Sequence, residues 1–311
     1  MNGVTIRRTT DLLERSILAL VIAAAVLGWQ LAGVPRLLDR HQAISIVLAI
    51  LVFASALTVP AGVMHRVRAL APRLGLVVIA SSVALPVLAF ALSRLLSPGA
   101  LRDGVLAVGV SPAEVASVAI TGIAGGEVAA AAVLLVASTL ICVVVAGPIL
   151  ALVGGHGVSS VHVLISLMLV VGLPLIAGLA VKRLAAIGEN VEAGAQAVAI
   201  VAVIVLVWLV SGQARVSAAY ATLLGVLVLL ILASAGLGVL FGWRAEQRAR
   251  TSVVLSVSMR DFAVASGIAA AAFGPASAAP LGLYGVLVMV WGAVVARLSS
   301  MRRQRASSAR S

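Results

Sequence analysis

A chain of 311 residues that is 62% hydrophobic and 10% charged, with a mean hydropathy of +1.21, does not have the composition of a soluble domain. Its apolar runs recur from end to end, which leaves no stretch for a separate water-soluble domain, and they lack the residue-by-residue alternation of barrel strands. The net charge of +12 would suit a nucleic-acid binder, but the basic residues are dispersed through short intervals between apolar runs, so no nucleic acid is expected.

A helix needs about 20 apolar residues to cross a bilayer. Ten runs qualify in chain order: 16–33, 43–63, 74–96, 104–123, 128–153, 160–181, 196–213, 218–241, 251–273 and 280–298. The first is read as a retained span and not a signal peptide. Arg7 and Arg8 precede it, but Asp11, Glu14 and Arg15 intervene and no small-residue cleavage site follows. Basic residues in short loops mark the cytoplasmic side. With the N-terminus inside, that side receives Arg7, Arg8 and Arg15, the Arg66–Arg73 loop, Lys182–Arg183, the Arg244–Arg250 loop and the arginines of the C-terminal end. The opposite side receives only Arg36, Arg40, Arg94, Arg102 and Arg215. The expected location is the plasma (inner) membrane, multi-pass, with both termini cytoplasmic and lipid as the surrounding partner. Residues 299–311 are expected to form a disordered basic tail near anionic lipid.

Three ionisable residues interrupt the runs where they should be most apolar. Glu114 lies in span four, and Arg260 with Asp261 in span nine. Three unpaired charges at mid-bilayer would oppose insertion by on the order of 10 kcal/mol, and intramembrane charges mark functional sites by default. The plainer reading is an ion-pair cluster that only holds helices together. Spans four and nine share small residues and polar interruptions, and their centres are roughly 145 residues apart. Five spans per half is an odd number, so the second half would be inverted relative to the first, a layout common among secondary transporters. Pro112 lacks an N–H and cannot complete the helical ladder. Ser111, Glu114 and Ser117 are polar partners beside it. A broken helix exposes N–H groups at one end and carbonyls at the other, which bind anions and cations respectively.

Two stretches carry a family resemblance: GVLAVGVSPAEVASVAITGIAGGEVAAAAVLLVASTLICVVVAGPIL and RTSVVLSVSMRDFAVASGIAAAAFGPASAAPLGLYG. They resemble the bile acid:sodium symporter family, within the wider bile, arsenite and riboflavin transporter superfamily. The resemblance implies an all-α integral membrane fold of ten transmembrane helices. These form two inverted five-helix repeats, about 16–153 and 160–298, with crossed, broken helices four and nine in a single transporter domain. It also implies a panel and a core that move relative to each other, and a small organic anion as substrate. No enzymatic activity, catalytic residue, metal centre or cofactor is expected.

The departures from the family pattern fall on its sodium ligands. The resemblance places the ninth-span Glu, Gln and Asn at Ser256, Arg260 and Asp261, and the third-span Gln at Ser81. The fourth-span Ser is kept as Ser117, but the Asn is Val118, and the fifth-span hydroxyl positions fall on Ala131 and Leu135. Sodium remains possible as a coupling ion, though most of its expected ligands are absent. The expectation is that Arg260 stands in for a sodium ion and braces the crossing through Glu114, Asp261 or both. The candidate substrate and ion site is therefore Ser81, Ser111, Pro112, Glu114, Ser117, Thr121, Ser256, Arg260 and Asp261. Thr121 also reads as a packing hydroxyl. Alternatives are a proton-coupled carrier or antiporter that titrates Glu114 or Asp261, and a membrane sensor or partner subunit that does not transport. An arsenite-type carrier would be expected to place a cysteine on span four, whereas Cys142 lies on span five.

Overall fold

The computed structural model describes residues 19–39, 42–59, 63–153, 158–184, 188–214 and 217–308. Every named element among them is helical, as long apolar runs demand where the backbone must satisfy its own hydrogen bonds. Helix α1 is Ala19–Gln30. It is followed by α2 (Gly33–Asp39), α3 (Ala43–Thr58), α4 (Val63–Ser93), α5 (Ala100–Val110), α6 (Ala116–Ile123) and α7 (Val128–Val153). Then come α8 (Ser160–Leu167), α9 (Leu173–Leu184), α10 (Glu189–Ser211), α11 (Ala219–Phe241), α12 (Gln247–Ser258), α13 (Phe262–Phe273) and α14 (Ala279–Ser308).

Six of the described helical stretches are long and apolar enough to cross a membrane: Leu74–Ser93, Val128–Val153, Ser160–Leu184, Asn190–Ser211, Ala219–Phe241 and Pro275–Ser299. The chain is thus an all-helical protein with multiple membrane-crossing helices. Two expected runs, 104–123 and 251–273, are each divided into half-helices, α5/α6 and α12/α13. The run 160–181 is also irregular. A π-helical turn, Met168–Gly172, joins α8 to α9. Pro174 lies just beyond Leu173 and cannot donate to the Val170 carbonyl in the preceding turn, which favours a locally widened ladder.

Residues 299–308 differ from expectation. They are not irregular, because α14 continues through Ser308. Neither Gly nor Pro interrupts the chain there, and Met, Arg, Gln and Ala are good helix formers. The N-terminal residues on which the signal-peptide reading rests lie outside the described residues.

Two sets of helix contacts stand out within one continuous apolar core. Helix α3 lies against α9 and α10. Lys182 Nζ ties their ends together, donating to the Leu57 carbonyl and to Glu192 Oε1 at 2.8 Å each. The second set surrounds the half-helices: α4 packs on α5 and α7, α12 on α7 and α11, and α5 on α13 and α14. A cluster built on Leu74, Val78, Leu85, Val133, Val253 and Val257 joins α4, α7 and α12.

Without a hydrophobic drive between helices in lipid, close approach depends on small residues. Gly178 in α9 is such a point. A Cβ there would stand 2.6 Å from Ala56 Cβ and 2.8 Å from the Phe53 carbonyl oxygen. The carbonyl is backbone and cannot rotate aside. Gly178→Leu should therefore separate α3 from α9 and destabilise the protein by about 1–3 kcal/mol. Thermal unfolding in detergent, read against Gly194→Leu at a glycine with open space around it, checks this.

Candidate functional site

The site is made by two interruptions that satisfy each other. Helix α5 ends where Ser111 precedes Pro112, and the chain is extended at Ser111 before α6 begins at Ala116. Helix α12 ends at Ser258, Met259 is extended, and α13 begins after Asp261. The second break contains no proline. The two unwound stretches run antiparallel, with Ala113 opposite Arg260. The Glu114 N–H donates to the Met259 carbonyl and the Asp261 N–H to the Pro112 carbonyl, both at 2.9 Å.

The N–H groups of the facing residues point away from this pair, and side chains from neighbouring helices accept them. Ser138 Oγ on α7 takes the Ala113 N–H at 3.0 Å, and its own proton goes to the Leu135 carbonyl. Tyr284 Oη on α14 takes the Arg260 N–H at 3.1 Å. Neither Ser138 nor Tyr284 stood out in the sequence reading. The available signals were weak: a hydroxyl in the apolar run 128–153, and one of only two tyrosines in the chain.

The charged side chains sort by the polarity of helix ends. Asp261 caps α13, its Oδ1 accepting from the Ala263 and Val264 N–H groups at 2.9 Å each. Glu114 Oε2 accepts from the Phe262 N–H of the same helix at 3.3 Å. Both carboxylates thus serve a positive N-terminal end. The Arg260 guanidinium does the reverse, donating from an Nη to the Ser111 carbonyl at the C-terminal end of α5. All three residues are at least nine-tenths buried.

This geometry corrects one expectation. Arg260 reaches across the crossing to a backbone carbonyl and not to either carboxylate. Among the described residues no ion pair within 4.0 Å joins it to Glu114 or Asp261, and its Nε has no hydrogen-bond partner. The physical reason is competition. The carboxylates are already drawn to free N–H groups, and the guanidinium finds the Ser111 carbonyl, which lacks an intrahelical donor because the chain is extended beyond α5.

The remaining predicted residues divide into two sets. Ser111 Oγ and Ser81 Oγ donate to carbonyls of their own helices, Val108 at 2.9 Å and Val78 at 3.0 Å. Pro112 contributes its carbonyl to the crossing. Ser117, Thr121 and Ser256 are buried hydroxyls with no hydrogen-bond partner among the described residues. They lie on α6 and α12, which pack together. A cavity of about 30 Å³ adjoins the crossing, with Asp261 in its wall and α3, α7, α9 and α13 around it.

An all-helical chain with membrane-length apolar helices and buried charges at paired helix breaks is a polytopic membrane protein. Residues 45–222 match the Sodium Bile acid symporter family, and the chain belongs to that family, which is a family of transporters. Among curated proteins it is similar to the "Uncharacterized sodium-dependent transporter YocS" of Bacillus subtilis (strain 168). The two are 28% identical over 288 residues, 89% of this chain and 88% of that protein. The family match spans the first break and ends before Arg260 and Asp261.

Ser138→Ala leaves the Ala113 N–H buried without an acceptor, and Tyr284→Phe does the same to the Arg260 N–H. Each should destabilise the protein by about 1–3 kcal/mol. Ser138→Thr, which keeps the hydroxyl, should cost less than Ser138→Ala. Thermal unfolding of the three variants checks the assignment.

Proposed function

We propose that the protein is a secondary transporter that moves a small organic anion across the plasma (inner) membrane. The observation that carries this reading is the meeting of two half-helix pairs, far apart in sequence, that place Glu114, Arg260 and Asp261 at their ends. Family membership supports a transporter, and the sodium-dependent name of the similar Bacillus subtilis protein supports a cation-coupled one.

In this reading the chain has ten spans in two inverted five-helix repeats, and the crossing of helices four and nine is the fixed centre. The group around the half-helices is the core, and α3, α9 and α10 belong to the panel that moves against it. Arg260 supplies a permanent positive charge to the Ser111 carbonyl, where a mobile cation would otherwise be needed. Guanidinium is effectively always protonated, so this part of the site needs no ion from solution. Ser81, Ser117, Thr121 and Ser256 are the hydroxyls available for solute or ion around it. A second reading, proton coupling through Glu114, is favoured by one observation. This buried carboxylate has no cationic partner within 4.0 Å among the described residues. A proton-coupled carrier requires uptake that follows an imposed pH gradient and is lost in Glu114→Gln.

The direct test is uptake of radiolabelled small carboxylates and sulfonates by proteoliposomes under an imposed sodium gradient. Saturable uptake of at least one is the expected result. Ligand binding without flux across the panel would instead point to a sensor. Arg260→Met should lower uptake at least about tenfold while the protein still folds, because the Ser111 carbonyl loses its charged donor. Arg260→Lys should retain part of the activity.

Orientation is checked by cysteine labelling. Cys142 is buried, so added surface cysteines report cleanly. A membrane-impermeant maleimide should label Ser97→Cys in intact cells and Ala245→Cys only after permeabilisation.

A further inference from the structure

We propose that the open pocket at the C-terminal end of α10 is a binding site for a small organic carboxylate, separate from the crossing. The site stands independently of the transporter reading. It lies at the opposite end of α10 from the Lys182–Glu192 bridge. Leu101 in its wall and Ser111 at the crossing stand at the two ends of α5, about 15 Å apart along the helix axis.

Three observations point to an anion. The first is a guanidinium with donors to spare. Gly212 has no side chain, and a Cβ there would stand 2.3 Å from Pro35 Cβ. Helix α2 therefore docks directly on the end of α10 and sets Arg36 in the pocket wall. Arg36 Nε donates to the Gly212 carbonyl at 3.0 Å and an Nη to the Ala214 carbonyl at 3.3 Å. A guanidinium carries five N–H groups, so donors remain for a ligand. No carboxylate stands in the wall. The acid on α5, Asp103, is outside it, and its Oδ2 accepts from Ser277 Oγ at 3.4 Å.

The second is a pair of unmade hydrogen bonds. Gln213 lies between the two residues whose carbonyls Arg36 holds, and it lines the pocket beside that guanidinium. Tyr220, in the first turn of α11, lines it as well. Gln213 Nε2 and Tyr220 Oη are shielded from water and have no hydrogen-bond partner among the described residues. A shielded donor without an acceptor is costly, and two in one wall call for an acceptor from outside the chain.

The third is helix polarity. Helix α5 opens after Gly99 and α11 after Ala218, and neither of these positions supplies a side-chain cap. Ala100 and Leu101 from the one first turn and Ala219 and Tyr220 from the other line the pocket. Two helix N-termini thus present their positive ends to the same space.

Size and wall chemistry select an organic anion. The pocket measures about 530 Å³, within the roughly 300–1,000 Å³ of small-molecule sites and far more than an inorganic ion fills. Leu96, Pro98 and Ala279 give an apolar bed for a carbon body. Because the wall joins α2 and the end of α10 to α5, an occupant also ties these helices together.

The test is thermal unfolding of the purified full-length protein, titrated with sodium benzoate at sodium concentration and ionic strength held constant with NaCl, with benzyl alcohol and sodium phosphate in parallel. The expected result is saturable stabilisation by benzoate, as for any ligand that binds only the folded state, and by neither control. Arg36→Gln should raise the half-saturating benzoate concentration at least about tenfold, as the loss of a charged hydrogen bond does. Gln213→Leu and Tyr220→Phe should each raise it about three- to tenfold. Neither should lower the unfolding temperature without benzoate, because neither removes a side-chain bond made in its absence. These two variants carry the test if Arg36→Gln, which also loses its bonds to α10, does not fold. No stabilisation by benzoate, or equal stabilisation of wild type and all three variants, would overturn the site. So would equal stabilisation by benzyl alcohol, or stabilisation by phosphate in place of benzoate. A benzoate effect that Arg260→Met removes and Arg36→Gln keeps would place the anion at the crossing, which overturns this site and leaves the transporter reading intact. Benzoate binding that depends on Arg36, in a protein that moves no solute, would do the opposite.

Discussion

The antiparallel contact of residues 112–114 with 259–261 is the constraint on which the rest of the structure depends. In an apolar interior a helix cannot simply stop, because each freed N–H and C=O must find a partner. Here each break supplies the partners of the other through the Glu114–Met259 and Asp261–Pro112 bonds. The two N–H groups that face outward from the pair are taken by Ser138 and Tyr284. The crossing thus recruits α7 and α14 as well as the four half-helices, and α4 follows through its packing on α5 and α7.

Electrostatics follows from that backbone arrangement. Four half-helix ends meet in one place, and their partial charges direct the three ionisable side chains. Glu114 and Asp261 go to the N–H groups that open α13, and Arg260 goes to the carbonyl that closes α5. Arg260 has no ion pair within 4.0 Å with its sequence neighbour Asp261 or with Glu114 from the other break, because the helix ends lie nearer to each side chain. The consequence is a buried cluster of three charges with no ion pair within 4.0 Å among the described residues, beside a small cavity that Asp261 helps to line.

Much of the fold was legible in the sequence, and the reasons are particular. The apolar runs coincide with helices because lipid and core both reject an unsatisfied backbone. Pro112 exposed the first break because it lacks an N–H. The second break has no such marker, and only the charges Arg260 and Asp261 betrayed it. The continuation of α14 through Ser308 was missed because charge and serine content were read as disorder, while the helix-forming preference of the same residues was not weighed. Pairing of Arg260 with a carboxylate was expected because sequence shows which charges are present and not which helix ends lie nearest to them.

By itself, the sequence determined that this chain is an all-helical membrane protein, where its first helix breaks, and which three charges lie in apolar surroundings. These follow from local chemistry: run length, a missing N–H, and the cost of a charge in a low-dielectric medium. Only the tertiary structure decided that Ala113 faces Arg260, that Ser138 and Tyr284 complete the backbone bonds, and that Asp261 shares a cavity with Ser55. Those relations join residues far apart in the chain. They depend on how half-helices dock, which no local pattern encodes.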